Sequence, residues 1–325
     1  MTEKENVFYS KDFKFSYSSL NKLLYSPQLF YRDYILEERE ERIDKHLIEG
    51  KVVHCLLFEP DQLENKFKVT PGKAPSDNVK RVLKDLSLYT QTEQLKDVEE
   101  SLVLDALERC NLYQSLKTDK QRVDKIVTAD NQIYWKYISD KKVDVIDEDT
   151  LQKCKEKKEI ITNNEEVMKL LSQNQTDFDL DPIQTYAEKY LECELKNKPF
   201  GLKGFIDFYE INDDTKTVTI CDLKTSGKSL IDFDESVMFY NYWMQAAIYC
   251  KLVYENLPED KRNYTILFKF IVIDKYNQVY PFDVSQLTMA EWADRLTQTL
   301  FQAEHHYKEN DYSLPYAFLT SGVIL

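Results

Sequence analysis

The stretch Tyr190-Leu-Glu-Cys-Glu-Leu-Lys-Asn-Lys-Pro-Phe-Gly-Leu-Lys-Gly-Phe-Ile-Asp-Phe-Tyr-Glu-Ile-Asn-Asp-Asp-Thr-Lys-Thr-Val-Thr-Ile-Cys-Asp-Leu-Lys-Thr225 decides how this chain folds. Tyr190 to Leu195 reads as a strand, Lys196-Asn-Lys-Pro199 as a turn, and Leu202 to Ile211 as a second strand. Asn212-Asp-Asp-Thr215 turns again, because Asn and Asp bond their own backbone, and Thr217 to Leu223 makes a β-branched third strand. Downstream, the pattern predicts a long helix over 233–256, a strand over Tyr264–Ile273, a hairpin partner at Gln278–Phe282 and a closing helix over 287–309. Three meander strands, a helix, more strand and a final helix make an α+β sheet core.

Upstream the grammar is helical. Ser16-Tyr17-Ser18-Ser19 supplies cap candidates, Leu20, Leu23, Leu24 and Tyr31 follow at helical spacing, and Pro27 divides the segment into a helix pair. A further helix follows Gly50, with Val52, Val53, Leu56 and Leu57 on its apolar side and Pro60 near its end. Residues 76–125 predict more helices, with Val79, Val82, Leu83 and Leu86 the clearest periodic set. Residues 126–147 alternate as strands around a hairpin turn at Asp130-Asn131, and 148–174 return to Lys/Glu-rich helix. The expected division is a mostly helical N-terminal portion, 1–182, packed as a subdomain on a core formed by 183–325.

Composition excludes several classes. The 325 residues are 42% hydrophobic and 31% charged, which is globular and too apolar for disorder. The Met1-Thr-Glu-Lys-Glu-Asn start has neither the basic region nor the apolar run of a signal peptide. Nothing approaches the roughly 20 apolar residues of a membrane span, so no membrane partner is expected. Cys55, Cys110, Cys154, Cys193, Cys221 and Cys250 are scattered without a C-x-x-C pair, which argues for reduced thiols in a cytoplasmic setting and against a zinc or iron–sulfur site. Gly227-Lys228-Ser229 imitates the end of a phosphate-binding loop, but Asp222 stands where that motif needs its first glycine. The formal charge of −14 gives no overall attraction to DNA. The densest acidic run, Glu37-Glu38-Arg39-Glu40-Glu41, is interrupted and reads as a solvated helix face.

Chemistry concentrates at the end of the third strand. Asp222 and Lys224 are two apart and share a face, as does any ion pair on a strand surface. Asp207 is harder to read as surface decoration, since Phe205, Ile206 and Phe208 surround it and a buried unpaired acid is expensive. Two acids and a lysine on consecutive strands suit a hard cation and a substrate phosphate. Gln245 and Tyr249 lie on one face of the following helix, His54 sits in an apolar helix, and Glu192 and Glu194 share one face of the first strand.

In order, these residues resemble the PD-(D/E)XK nuclease superfamily, in its RecB-like and exonuclease VIII-like (RecE-type) branch. The pattern stands here as Gly50…His54, Glu192, Gly204…Asp207, Asp222-Leu-Lys224-Thr225 and Gln245…Tyr249, with Tyr17-Ser-Ser-Leu-Asn-Lys-Leu-Leu-Tyr-Ser-Pro27 and His54-Cys-Leu-Leu-Phe-Glu-Pro60 similar to the branch's opening helix and His-containing helix. The iron–sulfur cysteines of some relatives are absent, and Glu192 fits the branch's spacing better than Glu194.

The resemblance implies a restriction-endonuclease-like core, a mixed central sheet flanked by helices, with an N-terminal helical subdomain. It implies that Asp207, Asp222 and the Leu223 carbonyl hold Mg²⁺ (Mn²⁺ substituting), completed by His54 and Glu192. Lys224 would orient or help deprotonate the attacking water, and Gln245 and Tyr249 would position the DNA backbone, with Thr225, Lys203 and Lys228 as further DNA contacts. The implied activity is a Mg²⁺-dependent exonuclease on linear duplex DNA in recombination or repair, with a structure-specific or single-strand nuclease, or a catalytically silent DNA-binding protein, as alternatives. A phage origin, action in a bacterial or phage-infected cytoplasm, a single-strand annealing partner and an oligomeric state belong to the same implication. On this reading the acidic balance constrains where DNA can bind, and the basic residues it needs must be local.

Overall fold

The computed structural model describes residues 2–38, 45–71, 74–138, 143–171 and 182–320. Two compact units are present: Met1–Glu41 with Asn163–Leu325, and Arg42–Thr162.

The first unit is built on one six-stranded sheet of β1 (Lys14–Phe15), β2 (Ile183–Glu194), β3 (Gly201–Asn212), β4 (Thr217–Thr225), β5 (Thr265–Ile273) and β6 (Val279–Val284). β3 pairs antiparallel with β2 and β4 and, at Gly201–Leu202, parallel with β1. β4 runs parallel to β5, which pairs antiparallel with β6. The expected mixed central sheet flanked by helices is therefore present, with β4 at its middle. At the β3–β4 turn, Asn212 Oδ1 accepts the N–H groups of Asp214 and Thr215, the local bonding that makes Asn a turn former.

Helices α1 (Tyr17–Tyr25), α2 (Phe233–Phe239), α3 (Tyr242–Asn256) and α4 (Gln286–Glu309) belong to this unit. Ser16 caps α1 through Ser19 N–H, and Ser285 caps α4 through Thr288 N–H. Trp243, Met244, Ile248 and Leu252 of α3, with Leu296 and Leu300 of α4, bury their apolar faces against Ile220, Phe268, Phe270 and Val272. The single helix expected over 233–256 is broken at Asn241. That residue adopts a left-handed φ of 57°, and its Oδ1 accepts the Trp243 indole N–H at 2.8 Å. Asn tolerates this conformation better than most residues, so the break carries neither Gly nor Pro to announce it.

Alternation slips once on each of two neighbouring strands. The residues of β3 that join the core are Leu202 and Ile206 before Asp207, but Tyr209 and Ile211 after it. On β2 they are Leu191 beyond Glu188 and Tyr186 before it. Glu188 has a φ of 45°, uncommon for a residue with a side chain.

The second unit has its own core of Val79, Val82, Leu83, Leu86, Leu95, Val103, Leu107 and Ile126, among others. Its helix Lys45–Phe58 runs straight through Gly50 rather than starting after it, and Phe67–Thr70 pairs parallel with Asp144–Asp147. The hairpin expected at Asp130-Asn131 is absent: residues Ala129–Trp135 form a helix. Thr128 caps it by accepting Asn131 N–H at 3.1 Å, so the Asp-Asn pair is a first turn. Among the described residues of that region, only Asp144–Asp147 is strand.

The expected acidic helix face at residues 39–41, strand residues 139–142 and the helix end at 172–174 lie outside the described residues. Among the described residues no helix is long and apolar enough to cross a membrane.

Candidate active site

The ladder between β3 and β4 closes at Phe208–Cys221. Asp207 and Asp222 are the next residue on each strand, so both stand where the strands part. Leu223 N–H bridges the fork by donating to Asp207 Oδ2 at 2.8 Å. β4 meanwhile stays in register with β5, Asp222 opposite Phe270 and Lys224 opposite Val272, which fixes both functional positions on a central strand. Asp222 is fully buried and Asp207 nearly so. A carboxyl in such a place needs polar partners, and the fork is built to supply them.

Lys224 forms an ion pair with Asp222, as the two-residue spacing predicts. Its ammonium also lies 4.7 Å from the centre of the Tyr242 ring, an attraction to the ring face. Burial alone would lower the Lys224 pKa, but the charges of Asp222 and Asp207 together raise it above the ordinary lysine value. Lys224 is therefore an ammonium at neutral pH.

Gln245 reaches the site from α3. Its Nε2 donates to Asp222 Oδ1 at 3.0 Å and to the Tyr249 hydroxyl at 2.8 Å, joining the two helix residues at i and i+4 to the strand acid. Its Oε1 is buried without a hydrogen-bond partner among the described residues. Burial holds the Tyr249 phenol well above its usual pKa, and the neighbouring Asp207, Asp222 and Glu188 add to the rise, so Tyr249 is a neutral hydroxyl. Gly204 explains how α3 approaches so closely. A Cβ there would stand 3.2 Å from both Tyr249 Cε1 and Leu252 Cδ1. The Gly204…Asp207 spacing thus couples helix packing to acid placement.

Glu188 is the residue the sequence reading passed over. In the β2–β3 register it falls opposite Asp207, between the pairs Ala187–Phe208 and Lys189–Ile206. Ligand atoms of Glu188 and Asp207 lie within 4.8 Å of each other. The strand acid expected at Glu192 lies four residues on, about 13 Å along the strand, opposite Lys203. Glu192 accepts the Tyr190 hydroxyl at 2.6 Å, which lowers its pKa, and sits 3.6 Å from Lys14. Glu194 pairs with Lys14 at 2.9 Å. The structure therefore brings Glu188, and neither Glu192 nor Glu194, beside Asp207.

Lys228 pairs with Glu235 at 2.9 Å, and Thr225 ends β4 opposite Ile273. His54 belongs to the second unit, on helix Lys45–Phe58, with its ring 5.9 Å from that of Phe58. Glu188 lies two residues before Tyr190, outside the strand bounds read from the sequence, at the point where the strand's phase changes.

The clustered carboxylates of Glu188 and Asp207, with the buried Asp222 on the neighbouring strand, are oxygen donors of the kind a hard divalent cation takes.

A search of curated proteins finds no match. Among solved structures, the chain is similar to the crystal structure of a "Putative exonuclease" from Eubacterium rectale, at 12% identity and a TM-score of 0.48, covering 99% of each chain. The pattern of the PD-(D/E)XK nuclease superfamily matches residues 14–312, nearly the whole length. By that match, which takes in every residue of the strand fork and of α3 described above, this chain belongs to the PD-(D/E)XK nuclease superfamily.

Proposed function

We propose that this protein is a Mg²⁺-dependent DNA exonuclease of the exonuclease VIII-like (RecE-type) branch, hydrolysing phosphodiester bonds of linear duplex DNA from an end. The observation that carries the reading is the buried arrangement at the fork: Asp222 bound by both Lys224 and Gln245, beside Asp207. Asp207, Asp222 and Glu188 would hold the cation, with the Leu223 carbonyl as the further oxygen that the family pattern implies. When bound, Mg²⁺ or Mn²⁺ supplies positive charge at the scissile phosphate and lowers the pKa of the attacking water.

The chain's own residues do the rest. Lys224 carries a raised pKa, so it acts as a charged donor toward the water or a phosphate oxygen rather than as a base. Gln245 fixes the orientation of Asp222 and of the Tyr249 hydroxyl. Tyr249 keeps its proton and is a donor for the DNA backbone. His54 keeps the role implied by motif order, Glu188 takes the one that motif order gave Glu192, and Lys203 and Thr225 serve as outer DNA contacts. Recombination or repair, a phage origin and a single-strand annealing partner follow from the same branch assignment.

The test is cleavage of linear duplex labelled at the 5′ or 3′ end, beside closed circular duplex, with Mg²⁺ and with a chelator. Metal-dependent loss of the linear substrate alone, abolished by Lys224→Ala, is expected. Equal cutting of the circle would replace the exonuclease with a structure-specific or endonucleolytic enzyme. Tight DNA binding with no cutting under any metal would leave a silent binding protein.

A further inference from the structure

The turn between α2 and α3 places three apolar or aromatic residues in water in succession: Met238, Phe239 and Tyr240. Phe239 is 75% exposed and Tyr240 46%, while other rings of the chain, Phe233 and Phe270 among them, are buried. These rings do not form an isolated patch. Phe239 meets Tyr240 edge to face with ring centroids 4.9 Å apart, and Tyr240 stacks on Tyr242 at 5.4 Å and 29°. Tyr242 in turn lies against the Lys224 ammonium at 4.7 Å. A continuous line of rings therefore leads from the exposed turn to the lysine at the fork.

The line is held in place by polar groups with no other evident task. The Tyr17 hydroxyl and Asn21 Nδ2 both donate to the Tyr240 carbonyl. Asn241 Nδ2 donates to Asn21 Oδ1 at 2.8 Å. The turn is thus tied to α1 at two successive residues, and the rings are preorganised.

Charge selects the occupant. Asp232, Asp234 and Glu235 stand at the start of α2, the helix that leads into the turn, and Lys228 is committed to Glu235. Such a surface offers little to phosphate, but neutral aromatic faces take nucleobases of any sequence. The two steps from Lys224 to Tyr240 match about three stacked nucleotides.

We propose that Phe239, Tyr240 and Tyr242 form a stacking platform for unpaired nucleobases next to the scissile phosphate, so that the DNA end is engaged as a frayed single strand. The proposal rests on the nuclease reading for its location, and its test is separate from cleavage. Binding of a short labelled oligothymidylate and of its abasic counterpart is compared by fluorescence anisotropy, with the full-length chain in a chelator. The two probes carry the same phosphates, so their difference reads stacking. The base-bearing probe should bind about tenfold tighter or better, and Phe239→Ala and Tyr240→Ser should each cut that preference by about fivefold or more. Tyr240→Trp should keep it, which separates lost stacking from a damaged fold.

Equal binding of the two probes by the wild type overturns the platform, as does a preference that survives both Phe239→Ala and Tyr240→Ser. A concentration-dependent dimer in sedimentation that Phe239→Ala abolishes, with base preference untouched, would assign the rings to self-association instead. A chain that cuts linear duplex without base preference loses the platform alone. A chain that prefers bases but never cuts loses the nuclease reading and keeps the platform.

Discussion

Two polar clusters in the first unit treat a buried carboxylate in opposite ways. Glu5 accepts the Thr2 N–H, the Tyr31 hydroxyl at 2.9 Å and the Asn310 amide at 3.2 Å, all neutral donors. These bonds, led by the Thr2 backbone, pull its pKa down to about 2. Tyr9 completes the net by bonding Asn310 and Tyr312. The fork cluster has an ammonium, a neutral phenol and an amide whose oxygen is buried without a partner. A carboxylate saturated by neutral donors is a structural joint. One set among other acids, with an amide oxygen still unsatisfied, is a place for a ligand.

The contrast can be broken most sharply at Lys224. Lys224→Ala should lower single-turnover cleavage on the order of 10²–10³-fold, while Glu5→Gln leaves the rate within about twofold of wild type. Comparable losses in both variants would erase the distinction. Gly204→Ala comes next, since its methyl must displace Tyr249 or Leu252. It should destabilise the protein by about 1–3 kcal/mol in a denaturant titration and slow cleavage as well. Gln245→Leu should cost roughly tenfold in rate and about 1–3 kcal/mol in stability, since it strips a donor from the buried Asp222. A large stability loss with unchanged rate would make Gln245 a structural joint like Glu5.

The smallest effect lies with Glu5 itself and appears only in acid. Its folded pKa is depressed, so its contribution is present above the unfolded value near 4.5 and disappears as pH falls through about 2. Thermal melts of wild type and Glu5→Gln should therefore converge across that window. Parallel melting curves throughout would remove the assigned role of the carboxylate.

The central strands and the acids they carry were legible because local pattern and tertiary role agree there. Thr217 to Leu223 is β-branched, lies between two partners, and ends in the acid and lysine that share its face. Glu188 was illegible for the opposite reason: its left-handed φ shifts the phase of β2, so the reading began only at Tyr190. Asp130-Asn131 misled because the same dipeptide opens a turn or the first turn of a helix, and Thr128 decides between them through one hydrogen bond. Gly50 misled in a related way. A glycine inside a helix costs about 1 kcal/mol, which the burial of Val52 and Val53 in the same helix offsets. The ring line beside Lys224 left no trace in spacing, since the break at Asn241 redirects what reads as one helix.

β1 has a consequence for how the protein is made. Lys14 and Phe15 pair with Gly201 and Leu202, and Glu5 bonds Asn310, so the earliest residues of the first unit close onto some of its latest. The unit is also interrupted by the whole of Arg42–Thr162, a continuous stretch with its own core. On the ribosome, the interrupting segment emerges entire before the β3–β4 fork exists. Contacts of such long sequence separation form slowly. The first forty residues must therefore wait, apolar faces uncovered, until the sheet they complete has been synthesised, and that interval is when the chain is most exposed to aggregation.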